Sequence, residues 1–164
     1  MTAEIESTVD REAALVTFVA HLDVAPDRAW QAWVDPRLLE RWWGPPTWPA
    51  TFTRHEPEVD GQSRYVMTGP DGERAGGWWR VLDVVPPRRF AFEDGFAGPD
   101  GEPDPGSPYG RTRTDVTLEP EGAGTRLTLV SHFVDEEQLD LLLQMQMREG
   151  MTQALEQMPG VLAG

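Results

Sequence analysis

The segment LLERWWGPPTWP, residues 38–49, sets Trp42, Trp43 and Trp48 among Pro45, Pro46 and Pro49. Each indole can bury roughly 150–250 Å², while the prolines deny this stretch a continuing helix or a central strand. Large apolar rings on irregular backbone suit either a helix-to-sheet corner or the rim of an apolar pocket. Core packing beside Leu38 and Leu39 accounts for Trp42, whereas Trp43 and Trp48 are candidates for a pocket mouth. In a second cluster, Trp78-Trp79-Arg80, a strand would put Trp78 and Arg80 on one face and Trp79 on the other. Turned inward, Arg80 would be a lone cation in an apolar chamber, needing a carboxylate such as Glu56, Glu58 or Glu93. Turned outward, the pair leaves Trp79 to the core.

Other chemistries lack their residues. There is no cysteine, which removes disulfides, thiolate metal sites and cysteine nucleophiles. There is no lysine either, all 14 basic residues being arginine, so Schiff-base chemistry and a phosphate-loop lysine are excluded. His21, His55 and His132 are far apart and match no metal-ligand spacing. His55 and Glu56 would point to opposite sides of a sheet, and His21 and His132 fall on the less apolar rows of their strands. No hydroxyl sits in a nucleophile elbow. Neither a catalytic residue nor a cofactor is assigned, and a lone acid or base in a cavity stays open.

A formal net charge of −14 repels nucleic acid and anionic membrane, so neither is expected as a partner. The opening MTAEIESTVDREAALV is acidic and lacks a basic region followed by an apolar run. No apolar segment approaches the ~20 residues of a membrane span. A cytoplasmic protein is the expectation, and 164 residues suit one domain over 1–164.

The elements that must position these rings follow from periodicity. In ALVTFVAHLDV, Val16, Phe18, Ala20 and Leu22 alternate with Thr17, Val19, His21 and Asp23, a strand pattern. Residues 1–13 before it are expected to be a disordered or extended arm. Pro26 opens a short helix carrying Trp30, Trp33 and Val34. Asp35 caps a second, starting at Pro36 and ended by Gly44. Six further strands follow: TFTRHEPEV, SRYVMT, GGWWRVLDVV, RFAFED, GRTRTDVTLE and TRLTLVSHF. Between the last pair but one, the polar segment from Asp94 to Gly110 is expected to be a flexible loop over 95–110, acting as a flap. Thr112, Thr114, Val116 and Leu118 form the core row of their strand. From Asp135, apolar residues from Leu139 to Met158 recur at three- and four-residue steps, predicting one helix of roughly two dozen residues and about 35 Å. Short connections make the strands antiparallel. The expected class is α+β, a helix-grip fold in which a curved seven-stranded antiparallel sheet wraps a long C-terminal helix, with two short helices after the first strand. One helix cannot fill such a sheet completely, so a cavity remains.

Several stretches also carry a resemblance: APDRAWQAWVDPRLLERWWGPPTW, YVMTGPDG, VLDVVPPRRFAFE, TRLTLVSHF and EGMTQALEQM. Together, over about Ala14 to Leu162, they resemble the START-like (SRPBCC) superfamily, in the group homologous to activators of the heat-shock protein 90 ATPase. The resemblance implies the helix-grip fold and an apolar pocket. One departure is EPEVDGQSRY, with Glu58 where the group commonly has arginine and Asp60-Gly61 in place of a glycine pair. The superfamily includes lipid carriers, polyketide cyclases, hormone receptors and co-chaperones, so it does not by itself specify an activity.

The leading expectation is a non-enzymatic binding module for a small apolar or aromatic ligand. Its candidate contacts are Trp43, Trp48, Tyr65, Met67, Trp78, Arg80, Phe92, Thr114, Met147 and Met151. Most methionines serve as flexible core filler, and Met147 and Met151, near Gly150, mark where helix and cavity meet. The alternatives are a co-chaperone-like activator of the heat-shock protein 90 ATPase and a polyketide cyclase/dehydratase-like enzyme. A chaperone or other protein partner and a homodimer are left open.

Overall fold

A computed structural model describes residues 4–98 and 100–163. Among the described residues, eight strands form one antiparallel sheet: β1 (Ile5–Asp10), β2 (Leu15–Leu22), β3 (Ala50–His55), β4 (Gln62–Thr68), β5 (Arg74–Val85), β6 (Arg89–Ala97), β7 (Arg111–Glu121) and β8 (Gly124–His132). Their spatial order is β1-β2-β8-β7-β6-β5-β4-β3. Between β2 and β3 lie α1 (Pro26–Val34) and α2 (Pro36–Trp42), and after β8 come α3 (Glu136–Gln144), α4 (Met147–Glu156) and α5 (Met158–Leu162). The two short helices therefore carry the chain from β2 to the far edge of the sheet.

The α+β class stands, with two corrections. The sheet has eight strands, not seven, because residues 5–10 of the expected N-terminal arm pair with β2, from Ile5↔Ala20 to Asp10↔Leu15. Their apolar signal is thin, Ile5 and Val9 around Ser7, which suits a half-buried edge. Arg148 on α4 holds this edge, donating to the Ser7 hydroxyl and carbonyl, both at 2.8 Å. Second, the C-terminal rod is broken. Met145 ends α3, and Gln146 adopts a left-handed conformation, φ 63°, before α4 begins. No glycine or proline marks this break, so periodicity alone runs straight through it. The expected loop over 95–110 is also shorter, since β6 pairs through Gly95↔Arg111 and Gly76↔Ala97.

Strand alternation puts one row of side chains inside: Val16, Phe18, Ala20 and Leu22 on β2, Leu127 and Leu129 on β8, Val116 and Leu118 on β7, Phe90 and Phe92 on β6, and Trp79 and Val81 on β5. Asp35 caps α2 by accepting from the Arg37 amide at 2.9 Å, and Asp135 caps α3 through Gln138 at 2.8 Å. Helix and sheet meet in an aromatic cluster. Trp79 stacks on Phe92 with centroids 4.1 Å apart, and meets Trp43 edge-on at 4.9 Å. Trp33 meets Trp42 at 4.7 Å, and the Trp42 indole donates to the Ala32 carbonyl at 2.7 Å. Truncating Trp79 removes the centre of this cluster and leaves a void that neighbouring rings cannot fill. Trp79→Ala is expected to cost about 3–5 kcal/mol, read as a lowered urea midpoint at unchanged m-value.

Candidate functional site

A cavity of about 220 Å³ lies between the inner face of the sheet and the C-terminal helices. For scale, an apolar cavity of about 150 Å³ admits benzene. Its wall is mostly apolar, with Trp43, Met67, Phe96, Phe133 and Leu142 among its residues. From α4 come Met147, Gly150, Met151 and Ala154, spaced so that one helical face meets the cavity. The break at Gln146 starts α4 as a separate helix whose face can be turned to the cavity independently of α3. Gln157 then secures the far end of α4, its side-chain amide donating to the Gly44 carbonyl at 2.8 Å and the Trp42 carbonyl at 3.2 Å. These bonds hold the exit of α2, and with it Trp43. Gly44, at φ 94°, makes the turn that a side chain would strain. At the other end Gln138 donates to the carbonyls of Tyr109 and Arg111, each at 2.8 Å, tying α3 to the start of β7.

The polar lining comes from the inner row of the sheet. Asp94 sits opposite both Trp79 on β5 and Thr112 on β7. Its Oδ1 accepts hydrogen bonds from the Thr112 hydroxyl at 2.6 Å and the Thr114 hydroxyl at 3.4 Å. Asp94 retains some accessible surface, as befits a residue lining the cavity. Burial pushes its pKa up to about 6, against the opposing effect of the two hydroxyl donors. Tyr65 lies in the next rung, its ring laid across Gly77, where a methyl group would overlap it. Burial and the nearby Asp94 both raise the Tyr65 phenol pKa, while the indoles of Trp43 and Trp79 act in the other direction. Ser131 also lines the cavity. Among the described residues, no arginine or histidine does, and no group of three or more His, Asp or Glu side chains is placed to hold a metal ion.

Of the residues expected from the sequence to contact a ligand, Trp43, Tyr65, Met67, Thr114, Met147 and Met151 come together around this cavity. Four do not. Trp48 is half-buried outside it, packed so closely on Gly69 that a methyl there would stand 2.7 Å from the indole. Phe92 is interior, but its ring is spent against Trp79. Trp79 takes the inner face of β5, so Trp78 and Arg80 point outward. Trp78 is covered there by the Arg111 guanidinium, 5.6 Å from its ring centroid. Arg80 is 54% exposed and pairs at the surface with Asp60 at 3.2 Å and Glu93 at 3.6 Å, not with Glu56 or Glu58. His55 is structural: one ring nitrogen lies 2.8 Å from the Trp33 carbonyl, the other 2.8 Å from the Ser63 hydroxyl, and burial lowers its pKa.

Among the cavity residues that sequence reasoning missed, which include Phe96, Ser131, Phe133 and Leu142, the acid is Asp94. It reads as the start of a polar loop, and aspartate is depleted in strands. The signal was the row Phe90, Phe92, Asp94, Phe96: continued by two residues at each step, it carries Asp94 onto the same inner face as Phe92.

Comparison with known proteins bears on the fold. The family model described as Activator of Hsp90 ATPase homolog 1-like protein matches residues 23–163. A solution structure of a protein from Arthrobacter aurescens is 46% identical, covers 96% of this chain and 91% of its own, and superposes with a TM-score of 0.92. A crystal structure of a Mycobacterium smegmatis protein is 34% identical over 98% of this chain and 96% of that one, with a TM-score of 0.88. A Rhodobacter sphaeroides protein is 28% identical over 98% and 99% of the two chains, with a TM-score of 0.82. No curated protein matches at a significant level. A family match over nearly the whole chain, and relatives sharing its fold end to end, lead to one assignment: the chain belongs to the Activator of Hsp90 ATPase homolog 1-like family of the START-like superfamily.

Proposed function

We propose that this protein binds a small, largely apolar molecule, with an aromatic or aliphatic body of one-ring size, in the cavity between sheet and C-terminal helices. The observation that carries this reading is the cavity itself, about 220 Å³ and walled by Trp43, Met67, Phe96 and the α4 face. Interiors normally close-pack, and a concave apolar chamber with a few polar groups is the usual form of a ligand site. The fold typically holds hydrophobic ligands, which supports the same reading. Met147 and Met151 suit a wall that adjusts to its occupant.

A second reading, a cyclase- or dehydratase-type enzyme, is favoured by Asp94, whose pKa of about 6 suits general acid–base chemistry near neutrality. Chaperone activation, after which the family is named, would use an outer docking face. The exposed large apolar residues Val59, Val85, Val134 and Met145 lie on four separate segments of the chain, so the cavity is the stronger feature.

Toluene at millimolar concentration is expected to raise the Tm by mass action and to change the tryptophan emission. The emission change should be lost in Trp43→Phe, and the Tm rise in Ala154→Leu, which extends a side chain into the cavity. An unshifted Tm across a panel of one-ring apolar compounds would overturn the ligand reading. Asp94 has its own signature. Its native pKa stands above the ordinary carboxylate value, so the folded state holds that proton more tightly than the unfolded chain. Its contribution to stability is complete below about pH 4 and is lost as pH rises through about 6. Denaturation from pH 4 to 8 should show this fall in wild type and a smaller one in Asp94→Asn, and carboxyl-carbon NMR should place the Asp94 midpoint near 6.

A further inference from the structure

Asp94 brings a carboxylate into the cavity with only half of its hydrogen-bonding capacity used. Oδ1 accepts from Thr112 and Thr114, whereas among the described residues no group donates to Oδ2. A hydroxyl has one proton to give. Thr112 and Thr114 have both turned theirs toward Asp94, so each presents lone pairs to anything else that approaches. This corner of the cavity is therefore built to accept hydrogen bonds. The other polar side chains that line the cavity are Tyr65 from β4, Ser131 from β8 and Tyr109 from the segment before β7. None is a cation.

From this arrangement we infer that the occupant carries a protonated amine on its one-ring body, the ammonium seated on Asp94 Oδ2 and the body against Trp43, Met67 and the α4 face. The inference rests on the ligand reading above and names the chemical class. An ammonium offers three donors and no acceptor, the complement of a carboxylate oxygen flanked by hydroxyl lone pairs. It also supplies the counter-charge that the cavity wall lacks. Desolvating a charge in such a chamber is costly without a partner, and here ligand and protein each meet the other's need. Carboxylate and phosphate ligands are excluded by the same argument: their charge would face Asp94 in a low-dielectric space with no arginine or histidine in the wall. The preference should also follow protonation of Asp94, because below about pH 6 the acid becomes neutral and loses its pull on a cation.

A matched set tests the class: benzylamine, benzyl alcohol, toluene and benzoate, each titrated by calorimetry at pH 7.5 and pH 5. At pH 7.5, benzylamine is expected to bind about tenfold or more tighter than toluene or benzyl alcohol, and benzoate not at all. At pH 5 the advantage of benzylamine should shrink several-fold, and in Asp94→Asn at pH 7.5 the benzylamine-to-toluene ratio should fall to about one. Toluene binding with no preference for benzylamine, or benzoate binding as well as toluene, would overturn the amine assignment while leaving the cavity reading intact. Equal or tighter binding of benzyl alcohol would replace the cation by a neutral donor, and so overturn it too. If no member of the set binds, both readings fall. If Asp94→Asn does not fold, the wild-type comparison decides: a benzylamine advantage undiminished at pH 5 would rule out Asp94 as the anchor.

Discussion

The packing of Trp79 is the constraint on which the rest of the molecule depends. Its ring is fully buried, stacked on Phe92 of the neighbouring strand and met edge-on by Trp43 from the exit of α2. That one contact set joins the middle of the sheet to the corner formed by the two short helices. Trp33, Trp42 and Phe90 extend it, so this part of the interior is filled by rigid rings in edge and stacked contacts. Toward α3 and α4 the inward residues change character, to Thr112, Thr114, Ser131, Ala154 and Gly150 with the flexible Met147 and Met151. Small and pliable side chains cannot close the space between a curved sheet and a helix, and the cavity lies among them, bounded by Trp43, Tyr65, Phe96, Tyr109 and Phe133. Trp43 belongs to both regions, being core on one side and cavity wall on the other.

The cavity's carboxylate runs against the interest of folding. An ionised group held away from water costs stability unless its partners repay the lost hydration, and Asp94 has only two hydroxyl donors, both on the same oxygen. Replacing it with a leucine-sized residue would extend the run Phe90, Phe92, Phe96 into a wholly apolar row. Departures of this kind from local consistency mark the places where a chain serves something other than its own stability. The outer face shows the contrast. There Asp115 gathers Arg89 at 3.3 Å, Arg113 at 3.2 Å and His132 at 3.0 Å, a charged cluster within reach of water. Such surface pairs contribute little individually, and they account for arginines and acids that have no part in the cavity.

Local chemistry made much of this legible from the chain alone. Alternation marked the strands, Asp35-Pro36 and Asp135 marked helix starts that the structure caps as expected, and Gly44 marked the exit of α2. Tyr65, Met67, Thr114, Met147 and Met151 could be assigned to a common interior because each sits on the apolar phase of its element. Trp78 and Arg80 could not be placed in that way. Both faces of β5 carry a tryptophan, so alternation gives a period without saying which phase is inside. The neighbouring strand settles it: Gly95, opposite Trp78, leaves room for an indole on the outer face, and Trp79 turns in toward Phe92.

From the chain alone came seven strands from β2 onward, antiparallel where short turns join them, the two short helices, an apolar helical stretch after Asp135, and an interior that one helix does not fill. Those follow from periods, caps and turn residues, which act within a few positions of the chain. Tertiary structure alone decided the helix break at Gln146, the pairing of β1 with β2, the outward turn of Arg80, and the arrival of Asp94 beside Thr112 and Thr114. Each of these depends on which segment lies across from another, many residues away. A strand's period is a property of its own residues, but the side it turns to water is set by its register with its neighbours.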